Sequence, residues 1–432
     1  MSARARGDDL PRLLAGLPAY GAMTLPDHLD LHGPAPLGRS SAGLIDGVHR
    51  AGLGGRGGSG FPTAFKLGAV ARATAQARHA SVVVANAAEG EPASLKDHLL
   101  LEAVPHLVLD GALLAAEAVG ADEVVVCTSS SARAARDSVA GALRERPRPD
   151  ADRIRLHTLP ERFVAGQETA LISHVNGGLA LPKLVPPLPH ERGVKRRPTL
   201  VNNVETLAHL ALIARHGADW FRQLGVRDQP GSALVTLSGA VAHPGVYEIE
   251  LGASLSGLID AAGGATDTIG ALLLGGYFGS WLPGELAASI FLAQDDLVPH
   301  GAGLGSGVIV VLGSAACGVA ETGRVARWLS DQSAGQCGPC VHGLDVIASA
   351  IEGLVRGSAP PETQARIARW ATLVKGRGAC AHPDGAVRFV SSALAVFASD
   401  FADHARHGPC PSCERARELP LVRAAVPAAA AA

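Results

Sequence analysis

The chain has 432 residues, 47% of them hydrophobic, which is enough for roughly two to four domains with large cores. Its formal charge of −2 and sequence pI of about 6.8 argue against nucleic acid or an anionic membrane as partner. No apolar run reaches the length of about 18 residues that a membrane-crossing helix needs, because the longest candidate, Leu107 to Val119, is interrupted by Asp110 and Glu117.

In chain order, Met1 to Asp9 carries arginine but no apolar signal-peptide core, so the expected location is cytoplasmic, including a position peripheral to a membrane complex. Residues 1–40 read as an N-terminal extension. From about 41 to 228 helices and strands alternate. Ala42 to Gly52 reads as a helix, Gly52 to Gly60 as a glycine-rich loop and Pro62 to Arg78 as a second helix. Ser81 to Ala85, Val124 to Cys127 and Ile154 to Thr158 read as buried strands, with helices at Leu107 to Val119 and Ala132 to Arg146. That alternation predicts an α/β layer with a largely parallel sheet. Residues 229–315 contain strands at Ala233 to Ser238, Gly245 to Ile249 and Gly307 to Leu312 and a helix at Leu255 to Ala262, a compact α+β module. Residues 316–415 read as a helical bundle, and 416–432 as a disordered, alanine-rich tail.

Gly55 to Gly60 satisfies G-x-G-x-x-G. The dinucleotide reading requires a preceding strand, yet His49 to Gly52 reads as a helix end, so this is not a standard nucleotide fingerprint. The glycines still let backbone N–H groups approach a phosphate, the following helix presents its positive end, and Lys66 lies one turn in. A tight helix–helix connection is the competing reading. Asn86 to Pro92 follows the first strand, where ligands sit in open α/β sheets. Phe163 to Ala170 and the pair Asn202-Asn203 are further polar insertions at element junctions. A helix cap would account for only one asparagine of that pair.

Seven cysteines are present, five of them in the last hundred residues, a clustering that points to metal rather than disulfides in a cytoplasmic chain. Cys127 and Cys317 read as core thiols. Cys337-x-x-Cys340, Cys380 and Cys410-x-x-Cys413 remain. Among the histidines, only His382 reads as a candidate ligand.

Taken together, the block Gly55-Arg56-Gly57-Gly58-Ser59-Gly60-Phe61-Pro62-Thr63, the Glu91-Pro92 pair with Lys96-Asp97 and Pro105-His106, and the Asn202-Asn203 pair resemble the NADH-binding flavoprotein subunits of respiratory complex I. NAD-reducing hydrogenases and formate dehydrogenases share this subunit type. The resemblance spans about residues 40 to 400. It implies a Rossmann-like FMN-binding α/β domain, a β-grasp soluble-ligand-binding module and a C-terminal helical bundle carrying an iron–sulfur site. It further implies an NADH dehydrogenase-type oxidoreductase that passes electrons from NAD(P)H through FMN to a 4Fe–4S cluster and a ferredoxin-like or other electron-transfer subunit. The alternative is an FMN/iron–sulfur relay with no NADH site of its own. The implied cofactor residues are Gly55, Arg56, Gly57, Gly58, Phe61, Lys66, Asn86, Glu89, Glu91, Phe163, Gly166, Gln167, Glu168, Asn202 and Asn203.

The sequence departs from the family at several of these places. Ala88 replaces an aspartate, Gln167 a glutamate, Val185 a lysine, and Leu188 and Ala69 aromatic residues, so the NADH side is more eroded than the FMN side. At the cluster, Ala334 stands where the family has its first cysteine. Cys337, Cys340 and Cys380 remain, with Cys410 as the expected fourth ligand. His382, Ser333, a three-iron cluster, or zinc between the two Cys-x-x-Cys pairs are the alternatives.

Overall fold

The computed structural model describes residues 10–38, 40–415 and 418–422. The first sheet contains β1 (Ser81–Ala87), β2 (Ala121–Ser129), β3 (Ile154–Leu159) and β4 (Thr199–Asn203) in the order β3-β2-β1-β4, with every pair parallel. Alternation within its β-branched strands fills two separate cores. Val83, Ala85, Val124 and Val126 face one, while Val82, Val84, Val125 and Cys127 face the other. Burial pushes the Cys127 thiol up to about 12, as befits a core thiol. The strand order reverses at β1, which places a crevice at the carboxyl ends of β1 and β4, where Asn86 pairs in register with Asn203.

Helices α1 (Leu25–His32), α2 (Ser41–Ala51), α3 (Thr63–Gln76), α4 (Lys96–Ala103), α5 (Pro105–Val119), α6 (Arg133–Glu145), α7 (Glu168–Val175) and α8 (Val204–His216) belong to this part of the chain. The glycine loop joins α2 to α3, helix to helix, as the sequence indicates. Helix α4 is absent from the sequence reading because nearly every residue from Lys96 to Ala103 is buried, so it shows no apolar stripe of helical period. Asp110 does not break α5. Its carboxylate accepts from His28 Nε2 on α1 (2.8 Å), Arg146 after α6 and Arg215 on α8. Part of the expected N-terminal extension is thereby fastened to the α/β layer, while Met1 to Asp9 lies outside the described residues.

A second sheet has β5 (Ser232–Gly239), β6 (Gly245–Glu250), β7 (Ile269–Leu274), β8 (Ser280–Pro283) and β9 (Val308–Gly313) in the order β8-β7-β9-β5-β6. Helix α9 (Leu255–Ala261) packs against it. Strands β7 and β8 are absent from the sequence reading of 229–315. Pairing with β9 and with each other, not local sequence, makes them strands.

The C-terminal helices are α10 (Gly318–Asp331), α11 (Asp345–Val355), α12 (Thr363–Val374), α13 (His382–Val396) and α14 (Ala398–His407). The helical bundle expected over 316–415 is present, with α13 and α14 separated at Phe397. Of the expected disordered tail, 418–422 is described. Leu419 is buried, and Glu418 and Leu419 donate their N–H groups to the Glu321 carboxylate (2.7 and 3.3 Å). The rest of that tail lies outside the described residues. Among the described residues no single helix is long and apolar enough to cross a membrane.

Candidate functional site: a cavity at the strand switch point

A cavity of about 860 Å³ opens at the β1/β4 switch point, within the range of ~300–1,000 Å³ common for cofactor sites. All fifteen cofactor residues expected from the sequence line it. Their side chains divide into two groups: those spent on building the walls and those left facing a ligand.

Most are wall-builders. Asn86 donates to the Gly166 carbonyl (2.9 Å) and accepts from Ala88 N–H (3.1 Å), which ties the end of β1 to the turn before α7. Gly166 suits that contact, because a Cβ there would lie 2.7 Å from the Ala88 carbonyl oxygen. Glu89 accepts from Ser94 and His98 side chains and from the backbone N–H groups of Asp97 and His98, capping α4. Gln167 caps α7, its oxygen accepting from Thr169 N–H and Ala170 N–H, both at 2.9 Å. Arg56 turns away from the cavity. Its guanidinium donates to the carbonyls of Ser232 (3.1 Å) and Gly54 (3.3 Å), which clamps the glycine loop to the second sheet. Phe163 packs edge-on against Phe278 and Trp328, joining the α/β layer to the helical part.

The Asn202-Asn203 pair splits its work. Asn203 caps α8 through Glu205 N–H (3.0 Å) and donates to Asp97 (2.6 Å). Asn202 is buried, and its amide nitrogen has no hydrogen-bond partner among the described residues. A buried donor without an acceptor costs about 1–3 kcal/mol, so this amide fits a ligand bearing an acceptor.

The glycine loop has the same character. Gly55 N–H donates to the Phe61 carbonyl and Arg56 N–H to Thr206 Oγ1, both at 2.9 Å. The N–H groups of Gly57 and Gly58 have no protein acceptor among the described residues. Gly58 adopts φ +110, a conformation that favours glycine. The N-terminus of α3 follows with no side-chain cap. Lys66 stands one turn in, donating to the Val201 carbonyl (3.0 Å) and lying 3.4 Å from Glu168. Free N–H groups, an open helix end, a lysine and an orphaned amide make a donor set suited to FMN, which carries both a phosphate and a ring edge rich in acceptors. Changing Asn202 to Ala is expected to weaken FMN binding by about 5- to 150-fold, the equivalent of 1–3 kcal/mol. Fluorescence titration of the flavin-free protein checks this.

In the wall itself, Lys96 and Asp97 belong to a buried charge chain that sequence reasoning did not place in the site. Lys96 Nζ bridges Asp97 (2.7 Å) and Glu205 (2.8 Å). Burial opposes the charge on Lys96, but Asp97, Glu205 and Glu89 outweigh it and raise its pKa. Burial, with Glu89 nearby, raises Asp97 despite the lysine. The signal was present in the sequence as Lys96-Asp97 directly after the Glu91-Pro92 turn.

On the opposite wall stand Cys380 and His382. Cys340 lies in a π-helical turn, Pro339–Leu344, of the kind often found at functional sites. Burial, with Cys337 and Cys380 nearby, pushes the Cys340 thiol up to about 12. The three suit three corners of an iron–sulfur cluster. The fourth ligand expected from sequence is not there. Cys410 instead lies 3.6 Å from Cys413, in a separate group with Cys317 and His404. Cys317 is therefore no plain core thiol, zinc between the two Cys-x-x-Cys pairs is excluded by their separate placement, and His404 was missed. His382 Nε2 donates to the Leu329 carbonyl (2.7 Å). The Val185–Pro189 segment, family-like in its prolines, does not line the cavity, and Val185 and Leu188 are exposed.

Comparison with known proteins agrees with this layout. The Nuo51 FMN-binding domain matches residues 48–212, the SLBB domain 234–273, and the NADH-ubiquinone oxidoreductase-F iron-sulfur binding region 320–404. The F-type subunit, form 2, of NADH-quinone oxidoreductase from Rhizobium meliloti is 31% identical over 390 residues, covering 85% of this chain and 90% of the relative. The corresponding F-type subunit from Streptomyces coelicolor is 31% identical over 387 residues, covering 85% and 84%. The crystal structure of an NAD+-reducing [NiFe]-hydrogenase in the H2-reduced state superposes with a TM-score of 0.76 at 31% identity, covering 85% of this chain. The chain spans 63% of the length of that hydrogenase chain. With an FMN-binding domain, an SLBB domain and an iron–sulfur-binding region in the same order, this chain belongs to the family of NADH-quinone oxidoreductase F-type subunits.

Proposed function

We propose that this chain is the electron-entry subunit of a multi-subunit oxidoreductase, taking electrons from NAD(P)H and delivering them to a ferredoxin-like or other electron-transfer subunit. The observation that carries the reading is a single cavity with an FMN-type donor set on one wall and Cys380 with His382 on the other. Bound FMN supplies the conversion between two-electron and one-electron chemistry that no side chain here offers, and an iron–sulfur cluster on Cys337, Cys340 and Cys380 supplies the one-electron exit.

The protein's own part is positional. Gly57 and Gly58 offer backbone N–H groups to the phosphate, with Lys66 adding charge. Asn202 holds the flavin by its free amide. Glu91, fixed by Tyr277 N–H at 2.8 Å, and Glu168, beside Lys66, are placed to accept from the hydroxyls of a nicotinamide nucleotide. Half-exposed Phe61 provides an apolar face at the rim. The chain works as a peripheral subunit of a membrane-bound or soluble complex.

A second reading, a relay with no NADH site of its own, draws on two observations. The Gln167 oxygen is consumed in capping α7, and the Val185–Pro189 segment stands outside the cavity wall. NADH-dependent reduction of ferricyanide by the purified flavin-loaded protein separates the two. Turnover at micromolar NADH is the expected result. Ferricyanide reduction by chemically reduced protein, with none from NADH or NADPH, would establish the relay instead.

A further inference from the structure

The carboxyl-terminal end of the helical part holds a second constellation that the electron-transfer reading does not use. Cys317 precedes α10, His404 lies in the last turn of α14, and Cys410 and Cys413 belong to the segment around the 3-10 turn that follows. One ligand atom from each lies within 4.8 Å of all the others. The separations are 3.6 Å for Cys317–Cys413, Cys410–Cys413 and Cys317–His404 Nε2, and 3.9 Å for Cys413–His404 Nε2.

Those separations bear on what the four groups could hold. Four ligands around one tetrahedral zinc at about 2.3 Å for sulfur and 2.0–2.1 Å for nitrogen stand roughly 3.5–3.8 Å apart, which follows from the tetrahedral angle. Three of these separations lie at that spacing and the fourth, Cys413 to His404 at 3.9 Å, just beyond it, with all four groups within 4.8 Å of one another. An iron–sulfur cluster does not fit, because each cysteine of a four-iron cube binds a different iron and the thiolates stand farther apart. A disulfide between any two would require about 2.05 Å and leave the other two groups unexplained.

We propose that Cys317, His404, Cys410 and Cys413 bind one zinc ion, a structural centre separate from the Cys337, Cys340 and Cys380 site. Four protein ligands leave no open position, so the ion serves architecture rather than catalysis. It ties the exit of the second sheet, through Cys317, to a segment 96 residues later, and so closes a long loop around the whole helical part. Residues 418–420 lie against the core, with Leu419 fully buried. The Pro420 carbonyl accepts from the Tyr277 hydroxyl (2.5 Å), and Tyr277 N–H donates to Glu91 on the cavity wall. The described residues beyond the clasp thus reach Tyr277, whose own N–H meets the cavity wall at Glu91.

The test is elemental analysis and zinc K-edge X-ray absorption on the full-length protein purified without oxygen. The expected result is about one zinc per chain with a shell of three sulfurs and one nitrogen. In Cys413→Ser and His404→Ala, zinc is expected to fall at least tenfold, while Cys337→Ser lowers iron and leaves zinc unchanged. Zinc-free wild-type protein, an oxygen- and nitrogen-only shell, iron in place of zinc, or zinc that follows Cys337→Ser would overturn the proposal. The wild-type absorption spectrum decides the matter even where a variant fails to fold. Because none of these readouts depends on flavin or NADH, failure of the electron-transfer reading leaves the test intact.

Discussion

Replacing Lys96 with Met is expected to destabilise the protein by about 3–5 kcal/mol, the range for stripping one partner from a buried ion pair, and to loosen flavin binding with it. The side chain is 4% exposed and its partner Glu205 1% exposed. Without the ammonium, Glu205 keeps Leu234 N–H at 2.9 Å and the Arg56 guanidinium at 3.9 Å, but no close cation. Asp97 and Glu89 also lose the charge that keeps their mutual repulsion in check. The damage reaches the cavity through one bond, Asn203 to Asp97. Asn203 adjoins Asn202, so the cap of α8 and the free amide move together. Chemical denaturation gives the stability change. Flavin titration of the folded fraction gives the second effect, and a variant of wild-type stability and flavin affinity would remove this charge chain from the account.

Asp110 carries the second large effect. Its carboxylate is 3% exposed and gathers His28, Arg146 and Arg215. Asp110→Ala leaves two buried guanidinium groups without their shared anion, at a cost of about 3–5 kcal/mol. Asp110→Asn, which keeps an acceptor of the same shape, should cost less. Burial alone would raise the Asp110 pKa, but the hydrogen bond from His28 and the charges of Arg146 and Arg215 outweigh it and hold it well below the ordinary 3.8. A depressed pKa in the folded state means that the stabilisation is fully present above the unfolded value near 3.8. It is lost as pH falls from there through the folded value. The wild-type protein should therefore lose stability in acid below about pH 4 more steeply than Asp110→Asn, as thermal melts at a series of pH values will register. Parallel acid profiles for the two would contradict this.

Much of the FMN side was legible because its determinants are local. A β-branched run fixed β1, five glycines within Gly54 to Gly60 fixed the loop, and the argument that one of two asparagines caps a helix matched the structure, with Asn203 as the cap. What sequence did not separate was lining a site from serving it. Asn86, Glu89, Gln167 and Arg56 all reach the cavity, yet their polar atoms are spent on the protein itself. The Gln167 example is instructive. The loss of a carboxylate looked like erosion of nucleotide binding, and the amide oxygen proves to be a helix cap.

The cysteines failed differently. Counting them pointed to metal, but partnership between distant thiols depends on how α10, α13 and α14 pack, and spacing carries no such information. Cys410 is the fourth ligand expected from sequence because Ala334 leaves the Cys337, Cys340 and Cys380 set one thiolate short. The signal that pointed elsewhere was His404, six residues before Cys410 on the face of a helix. Strands β7 and β8 were hidden for a related reason, since short segments become strands there only by pairing with β9 and with each other.

Anaerobic titration of the purified, FMN-reconstituted protein with NADH, followed by flavin absorbance, tests the electron-entry reading most directly. About one flavin bound per chain, bleached by near-stoichiometric NADH and bound about 5- to 150-fold more weakly in Asn202→Ala, is the predicted result. A protein that takes up no FMN under these conditions, or binds it equally well in Asn202→Ala and never bleaches with NADH or NADPH, would contradict it.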